Sequence, residues 1–551
     1  MPSRRPALIV AAATALVAAG LISVAWWPAA QLKESFASVT PSHPPAVTTE
    51  SPTASAAPRP SPTPSEPDIA WGPTDAEWDA ALATASGLSL ADAAGQVIVA
   101  SVSSPSPEAT ETLVADLALG GVIVMADAVT DGDGVRAVTA AAQAGAAAEG
   151  RDWGALVGVD QEGGTVSRLR GLMPDLPSFM AAGAASDKDA VRSAFGQAGV
   201  DMGAMGFTVD FAPVADATVG LADPTIRARS AGSDVARVSA TVNAAFAGLI
   251  DGGLVPVVKH FPGHGSVAQD SHQVLPVQRE TLAGLEERDL APFASAVDAG
   301  APAVMMAHVA LPEWGAGPAT LEPAAYAYLR DELGFDGVAV TDALNMGAIQ
   351  DTHGPGQAAV AALAAGADLL LMPPDARVAR DAIVTAVEDG TVPRERLDEA
   401  AARTILLARW QSGLEPEPDD GADYARALSA EGATVAAQDC SAAWLGDTVT
   451  ISGGYDHDRA TLARALEAHG VSVGDGGTTV FLLGGDEARG SADVVVAMGG
   501  PWGLTDSQAD VYVGLYGRSS SALDGLADVL VGAAPPGGEW PVAVDVPHPT
   551  C

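Results

Sequence analysis

The stretch that decides the fold is Val255–His272, VPVVKHFPGHGSVAQDSH. Its first four residues are apolar and lead into Lys259, His260 and Phe261. A Gly-rich loop with two further histidines, His264 and His272, follows. A continuous apolar run of this length is what a parallel strand buried on both faces looks like, because neither face needs polar side chains. Titratable residues crowd the end of the run, and in closed parallel α/β units chemistry collects at the carboxyl ends of strands.

Working outward, seven more runs of the same kind precede and follow it: Val97–Ser101, Gly121–Ala126, Ala155–Asp160, Phe207–Phe211, Ala303–His308, Gly337–Thr341 and Asp368–Met372. Helical patterning fills the intervals, as in Gln357–Ala365 and Ala379–Glu388. Eight β-then-α units between about Asp75 and Ser412 predict an α/β fold of the closed (β/α)8, TIM-type barrel class, with an open doubly wound sheet as the competitor. Reactive groups sit at the same end of five runs. The third ends in Asp160-Gln161-Glu162-Gly163-Gly164, the fourth carries Asp210 and runs on to Asp216, the sixth ends in His308 and the seventh in Thr341-Asp342.

Each of these has a structural alternative. Asp270 precedes His272 by two residues and would orient the ring and stabilise its charged form, tuning it to exchange a proton near neutral pH. An isolated Asp-x-His is otherwise ordinary surface polarity, and His260, His264, Asp270 and His272 together could instead ligate a metal. Asp342 at a strand end could attack an anomeric carbon or merely cap a helix starting near Ala343. Asp160–Gly164 reads equally as a βα turn with Gly at positive φ.

Farther out, Arg4 and Arg5 precede an uncharged apolar stretch, Pro6–Ala30, the layout of an export signal that is also long enough to span a bilayer. We therefore expect residues 1–34 to be a cleaved signal or a retained anchor, with the domain that carries the strand-end residues outside the cytoplasm. No Cys follows the run, which argues against lipid attachment. Residues 35–70 are rich in Pro, Ser and Thr and read as an extended stalk. The catalytic barrel is expected over 71–412 and a smaller C-terminal α/β sandwich over 413–551. The latter carries strands at Thr448–Ser452, Thr479–Leu483, Val494–Met498, Val511–Leu515 and Trp540–Val546. Its two cysteines, Cys440 and Cys551, are the only ones in the chain, and they could pair or remain free thiols. A net charge of -41 excludes nucleic acid as a partner and disfavours anionic lipid.

With these residues in place, the chain resembles glycoside hydrolase family 3 in its bacterial β-N-acetylglucosaminidase branch, over roughly Asp75–Ser412. The K-H-F-P-G-H-G and D-S-H patterns are present at Lys259–His272, D-Q-E-G-G-x-V-x-R-L at Asp160–Leu169, D-P-x-I-x-x-R-S at Asp223–Ser230 and T-D-A-L-x-M at Thr341–Met346. The resemblance implies Asp342 as nucleophile, His272 as proton donor and acceptor, and Asp270 as its orienting partner. It implies that Asp160, Arg168, Arg229, Lys259 and His260 hold the hydroxyls of a terminal sugar, and that neither cofactor nor metal is required. The implied substrate is an N-acetylglucosamine-containing glycan, since the D-S-H loop marks that branch. After Ser412 the likeness rests mainly on the closing Pro-Pro-Gly-Gly-Glu-Trp-Pro-Val, which implies a structural or docking role. The segment Arg227-Ala228-Arg229-Ser230-Ala231 has Ala where the family often has an aromatic residue.

Overall fold

The computed structural model describes residues 69–416, 423–441 and 443–551, all within one compact unit that spans Pro64–Cys551. The expected signal or anchor and most of the stalk lie outside the described residues. Among the described residues no helix is long and apolar enough to cross a membrane.

The apolar runs form strands where the sequence places them. These are β1 (Ile98–Val102), β2 (Gly121–Val124), β3 (Leu156–Val159), β4 (Val209–Asp210), β5 (Val255–Pro256), β6 (Val258–Phe261), β7 (Ala303–Met306), β8 (Val338–Thr341) and β9 (Leu370–Leu371). They pair in parallel in the order β9-β1-β2-β3-β4-β5, and β6, β7 and β8 form a second parallel sheet. The chain itself links β5 to β6 across Val257, and a parallel bridge between Val340 and Leu369 joins β8 to the start of β9. Helices fill the intervals, and several of their starts are capped by short polar side chains that accept otherwise unpaired N–H groups. Asp131, Asp187, Asp234 and Asp375 do this for four of them. One apolar cluster of Val, Leu, Ala and Phe runs from Trp71 to Leu428.

Beyond the helix Tyr424–Gly432 lies a second six-stranded sheet. Its strands are β10 (Thr434–Ala437), β11 (Thr448–Gly453), β12 (Ser472–Val473), β13 (Thr478–Leu483), β14 (Val494–Ala497) and β15 (Val511–Gly514), ordered β10-β15-β14-β13-β11-β12. All pairings are parallel except β10 with β15. Two details differ from expectation. Trp540–Val546 is not a strand but an irregular segment whose Val542 and Val544 pack against Met180, Ala181 and Tyr516. Apolar side chains serve there as filling between two layers, which needs no ladder. The edge strand β10 has no counterpart in the sequence reading, and its antiparallel pairing depends on distant chain. The cysteine question is settled by a Cys440–Cys551 disulfide.

The second sheet sits on the first α/β unit through backbone as well as side chains. Ser178 N–H donates to Tyr516 O, Glu539 N–H to Ala184 O and Ser233 N–H to Pro541 O. Arg237 pairs with Glu539 at 2.6 Å.

Candidate active site

The ends of the third, fifth and seventh runs singled out in the sequence open into one cavity of about 360 Å³. Asp160, Arg168, Arg229, Lys259, His260, His272 and Asp342 all line it. Asp270 stands behind His272, its Oδ1 2.7 Å from His272 Nδ1 and 3.0 Å from the His272 N–H. His308 lies beneath, and its Nε2 donates to Ala343 O at 3.0 Å, which fixes the chain just after Asp342.

Asp342 follows β8 directly. Its N–H donates to Met306 O at 2.9 Å and its Oδ1 accepts the Ala343 N–H at 2.7 Å. The next helix starts only at Gly347, so Asp342 is no helix cap. Burial pushes its carboxyl pKa up, but the rings of His308 and His260, the Ala343 N–H and the Lys259 ammonium push it down by more. The net shift is downward, which keeps the carboxylate ionised.

A largely buried ion network forms another part of the lining. Glu162 takes a bidentate pair from Arg229 at 2.8 and 2.9 Å and the Lys259 ammonium at 2.6 Å. Lys259 also reaches Asp160 at 3.1 Å, and Arg168 lies 3.6 Å from that carboxylate. Burial alone would raise the Glu162 pKa, yet Arg229 and Lys259 hold it well below the usual carboxylate range. The sequence places Glu162 at the reactive end of the third run but assigns it no role. The signal was available, since residues two apart on an extended segment share a face and Asp160 was already assigned. Gln161 points the other way, where its side-chain oxygen accepts the Arg168 and Leu169 N–H groups and orients that loop. Gly163 and Gly164 adopt positive φ there, so the turn reading of this segment holds alongside the site reading.

Asp216, which the sequence marks only as a polar residue beyond the fourth run, is a second organiser. It accepts from His260 Nδ1 at 2.7 Å and from the His264 N–H at 2.7 Å. The opposite ring atom, His260 Nε2, lies 3.5 Å from Arg229. Nothing local in the sequence marks this contact, which joins residues 44 apart. Asp223 shapes the neighbouring loop by accepting the N–H groups of Thr225, Ile226 and Arg227. The four groups weighed as metal ligands are each engaged otherwise, with His264 Nε2 on Ser271 Oγ at 2.9 Å. Among the described residues no three His, Cys, Asp or Glu gather as a ligand set.

The His272 loop is tied to the chain after Asp342. Gly347 N–H donates to His272 O and Ala348 N–H to Ser271 O, both at 3.2 Å. A Cβ on Gly347 would lie 2.8 Å from the His272 and Gln273 carbonyl oxygens, so only glycine allows this approach.

Residues 89–407 match the description "Glycosyl hydrolase family 3 N terminal domain", more than half of the chain. The chain belongs to glycoside hydrolase family 3. Among curated members of the family, beta-hexosaminidase LpqI of Mycobacterium tuberculosis is 38% identical over 261 residues, 46% of this chain and 67% of the relative. A beta-hexosaminidase of Chromobacterium violaceum is 36% identical over 279 residues, 49% and 77% of the two chains. Among solved structures, a family 3 β-N-acetylglucosaminidase from Paenibacillus sp. superposes with a TM-score of 0.73 at 27% identity, covering 84% of this chain and all of that one. The family 3 α/β fold built on parallel strands is thus common to both, and this glycoside hydrolase carries its charged residues at the strand ends.

Proposed function

We propose that this glycoside hydrolase is a retaining, exo-acting β-N-acetylhexosaminidase working from a closed (β/α)8 barrel over residues 71–412. The observation that carries the reading is that one cavity holds Asp342, the Asp270-backed His272 and a wall of paired charges. The names of the relatives support the same reading.

Asp342 attacks the anomeric carbon while His272, as imidazolium, protonates the departing glycosidic oxygen. With Nδ1 engaged by Asp270, Nε2 is the nitrogen that carries the transferred proton. A glycosyl-aspartate forms and the leaving saccharide departs. Neutral His272 then takes a proton from water, whose oxygen displaces Asp342 from the same carbon. Two inversions give net retention. Asp160, Arg168, Arg229, Lys259 and His260 hold the terminal sugar's hydroxyls, since charged and polar groups fixed by one another give directional hydrogen bonds.

The physiological glycans are β-linked N-acetylglucosamine termini of cell-wall fragments or chitooligosaccharides. The enzyme acts outside the cytoplasm, carried on the stalk (35–70) by a signal or anchor (1–34), and the C-terminal α/β domain occupies 413–551. A panel of p-nitrophenyl β-glycosides tests the substrate. The N-acetylglucosaminide should be cleaved well and the glucoside poorly; equal turnover of the two would overturn the N-acetyl preference.

A further inference from the structure

The loop that carries His272 runs between two apolar anchors. Val267 packs with Ala307 and Val309 at its start, and Pro276 is buried at its end. Between these anchors Ser271 alone is buried, at 2% exposure, whereas the His272 side chain is 62% exposed. Asp270 bonds His272 at both Nδ1 and the backbone N–H. It belongs to the same loop, so it fixes the ring within the loop and not the loop against Asp342. A second restraint is needed, because a general acid must stand within hydrogen-bond reach of the departing oxygen.

Ser271 supplies that restraint from two atoms. Its carbonyl oxygen accepts the Ala348 N–H at 3.2 Å, on the chain after Asp342. Its hydroxyl lies 2.9 Å from His264 Nε2. His264 is itself buried, and burial lowers the pKa of its ring and keeps it neutral. A neutral imidazole has one N–H and one acceptor nitrogen, and a hydroxyl both donates and accepts. One hydrogen bond therefore joins the ring and the hydroxyl in either tautomer.

Behind His264 the restraint continues to the residues proposed to hold the sugar. The His264 N–H donates to Asp216 Oδ1 at 2.7 Å, and Asp216 Oδ2 lies 2.7 Å from His260 Nδ1. His260 Nε2 in turn stands 3.5 Å from Arg229. The next residue after His264 is pressed against the same segment: a Cβ on Gly265 would lie 2.4 Å from Ala217 O, so the two backbones touch there. Asp216, His260, His264 and Ser271 are all buried, where a polar group left without its partner is costly.

We propose that His264 and Ser271 are positioning residues, whose hydrogen bond latches the proton-transfer loop to the part of the cavity that holds the terminal sugar. The inference rests on the glycosidase reading above and deepens it. Arg229, His260, Asp216, His264 and Ser271 form one chain of contacts from the sugar's hydroxyls to the loop. Neither His264 nor Ser271 transfers a proton. Without their bond His272 keeps Asp270 but loses its fixed distance from Asp342.

Ser271→Ala and His264→Ala each remove the latch, and the second leaves the His264 backbone bond to Asp216 in place. The readout is the ratio of kcat/KM for chitobiose to kcat/KM for p-nitrophenyl N-acetyl-β-glucosaminide, whose leaving group needs little protonation. Each variant should lower that ratio by about tenfold or more, the sensitivity of catalysis to displacements near 1 Å. A merely structural role would lower both rates alike, and an unchanged ratio overturns the latch. The double variant should lose no more than the worse single one, because the same bond is removed twice; losses that multiply overturn it as well. Circular dichroism checks folding, and Ser271→Cys, of nearly the same size with a weaker hydrogen-bonding group, replaces a variant that does not fold. A measurement without substrate separates this failure from that of the glycosidase reading. Histidine-ring NMR, assigned with His272→Gln, follows His272 in the wild type and in His264→Ala. Should the wild type cleave no N-acetylglucosaminide, a displaced or broadened His272 signal in His264→Ala still supports the latch, and an unaltered signal overturns it.

Discussion

Asp342 and His272 divide the proposed chemistry, and single substitutions separate their roles. Asp342→Ala should be nearly inactive on every substrate, because both steps pass through that carboxylate. His272→Ala should lose roughly 10^2–10^4-fold on natural glycosides, the usual worth of a general acid, but much less on p-nitrophenyl glycosides, whose leaving group needs little protonation. Azide, which needs no deprotonation, should restore turnover and yield a β-glycosyl azide. Equal small losses on both substrate types would remove His272 from proton transfer. Asp270→Ala should show a milder form of the pattern. Asp210 offers a test of a different kind. Burial raises its carboxyl from 3.8 to about 7, and its Oδ2 makes no hydrogen bond within the chain. The folded state thus keeps a proton that the unfolded chain releases, so this group lowers stability as pH climbs from 3.8 to about 7. Asp210→Asn should therefore be more stable than the wild type above pH 7, by at most about 4 kcal/mol, and equal to it near pH 4. Urea midpoints at pH 4.5 and 8 check this, and a variant less stable at both would refute it.

At the scale of elements, β3 and β8 lead into Asp160 and Asp342, β6 carries Lys259 and His260, and the loop after β6 carries Asp270 and His272. The apolar strands were legible because burial on both faces removes polar residues from them, and their polar ends were legible for the same reason. The loop geometry was not. Gly347 is an instance, since its sequence context gives no hint that it touches the backbone of the His272 loop. Gly347→Ala should push that loop away from the chain after Asp342. We expect a loss of about tenfold or more in kcat/KM, the sensitivity of catalysis to displacements near 1 Å. The circular dichroism spectrum should be preserved. Undiminished activity would show that this contact does not set the position of His272.

For the whole molecule, the parts that answer to distance behave differently from those that answer to local pattern. The Cys440–Cys551 bond closes a separation of 111 residues. Cys551 N–H donates to Val435 O and Ala437 N–H to Pro549 O, so the chain end lies along β10. Breaking the bond frees that closing segment. Loop-closure entropy puts its stabilisation at about 4–5 kcal/mol as an upper bound. Cys440→Ser with Cys551→Ser should lower the calorimetric transition of the second layer. An unchanged thermogram would mean that the packing of β10 suffices.

The sequence by itself determined the parallel α/β architecture, the strand positions of the first unit and most of its second, and the residues that gather at one cavity. It could do so because those features repeat locally: apolar runs, turns, and reactive groups at run ends. Only the tertiary structure decided the partners of Glu162 and Asp216, the antiparallel edge β10, the irregular path of Trp540–Val546 and the disulfide. Each of these depends on which residues, far apart in the chain, meet across a buried boundary. Charge pairing and close packing are settled there by geometry that no local pattern encodes.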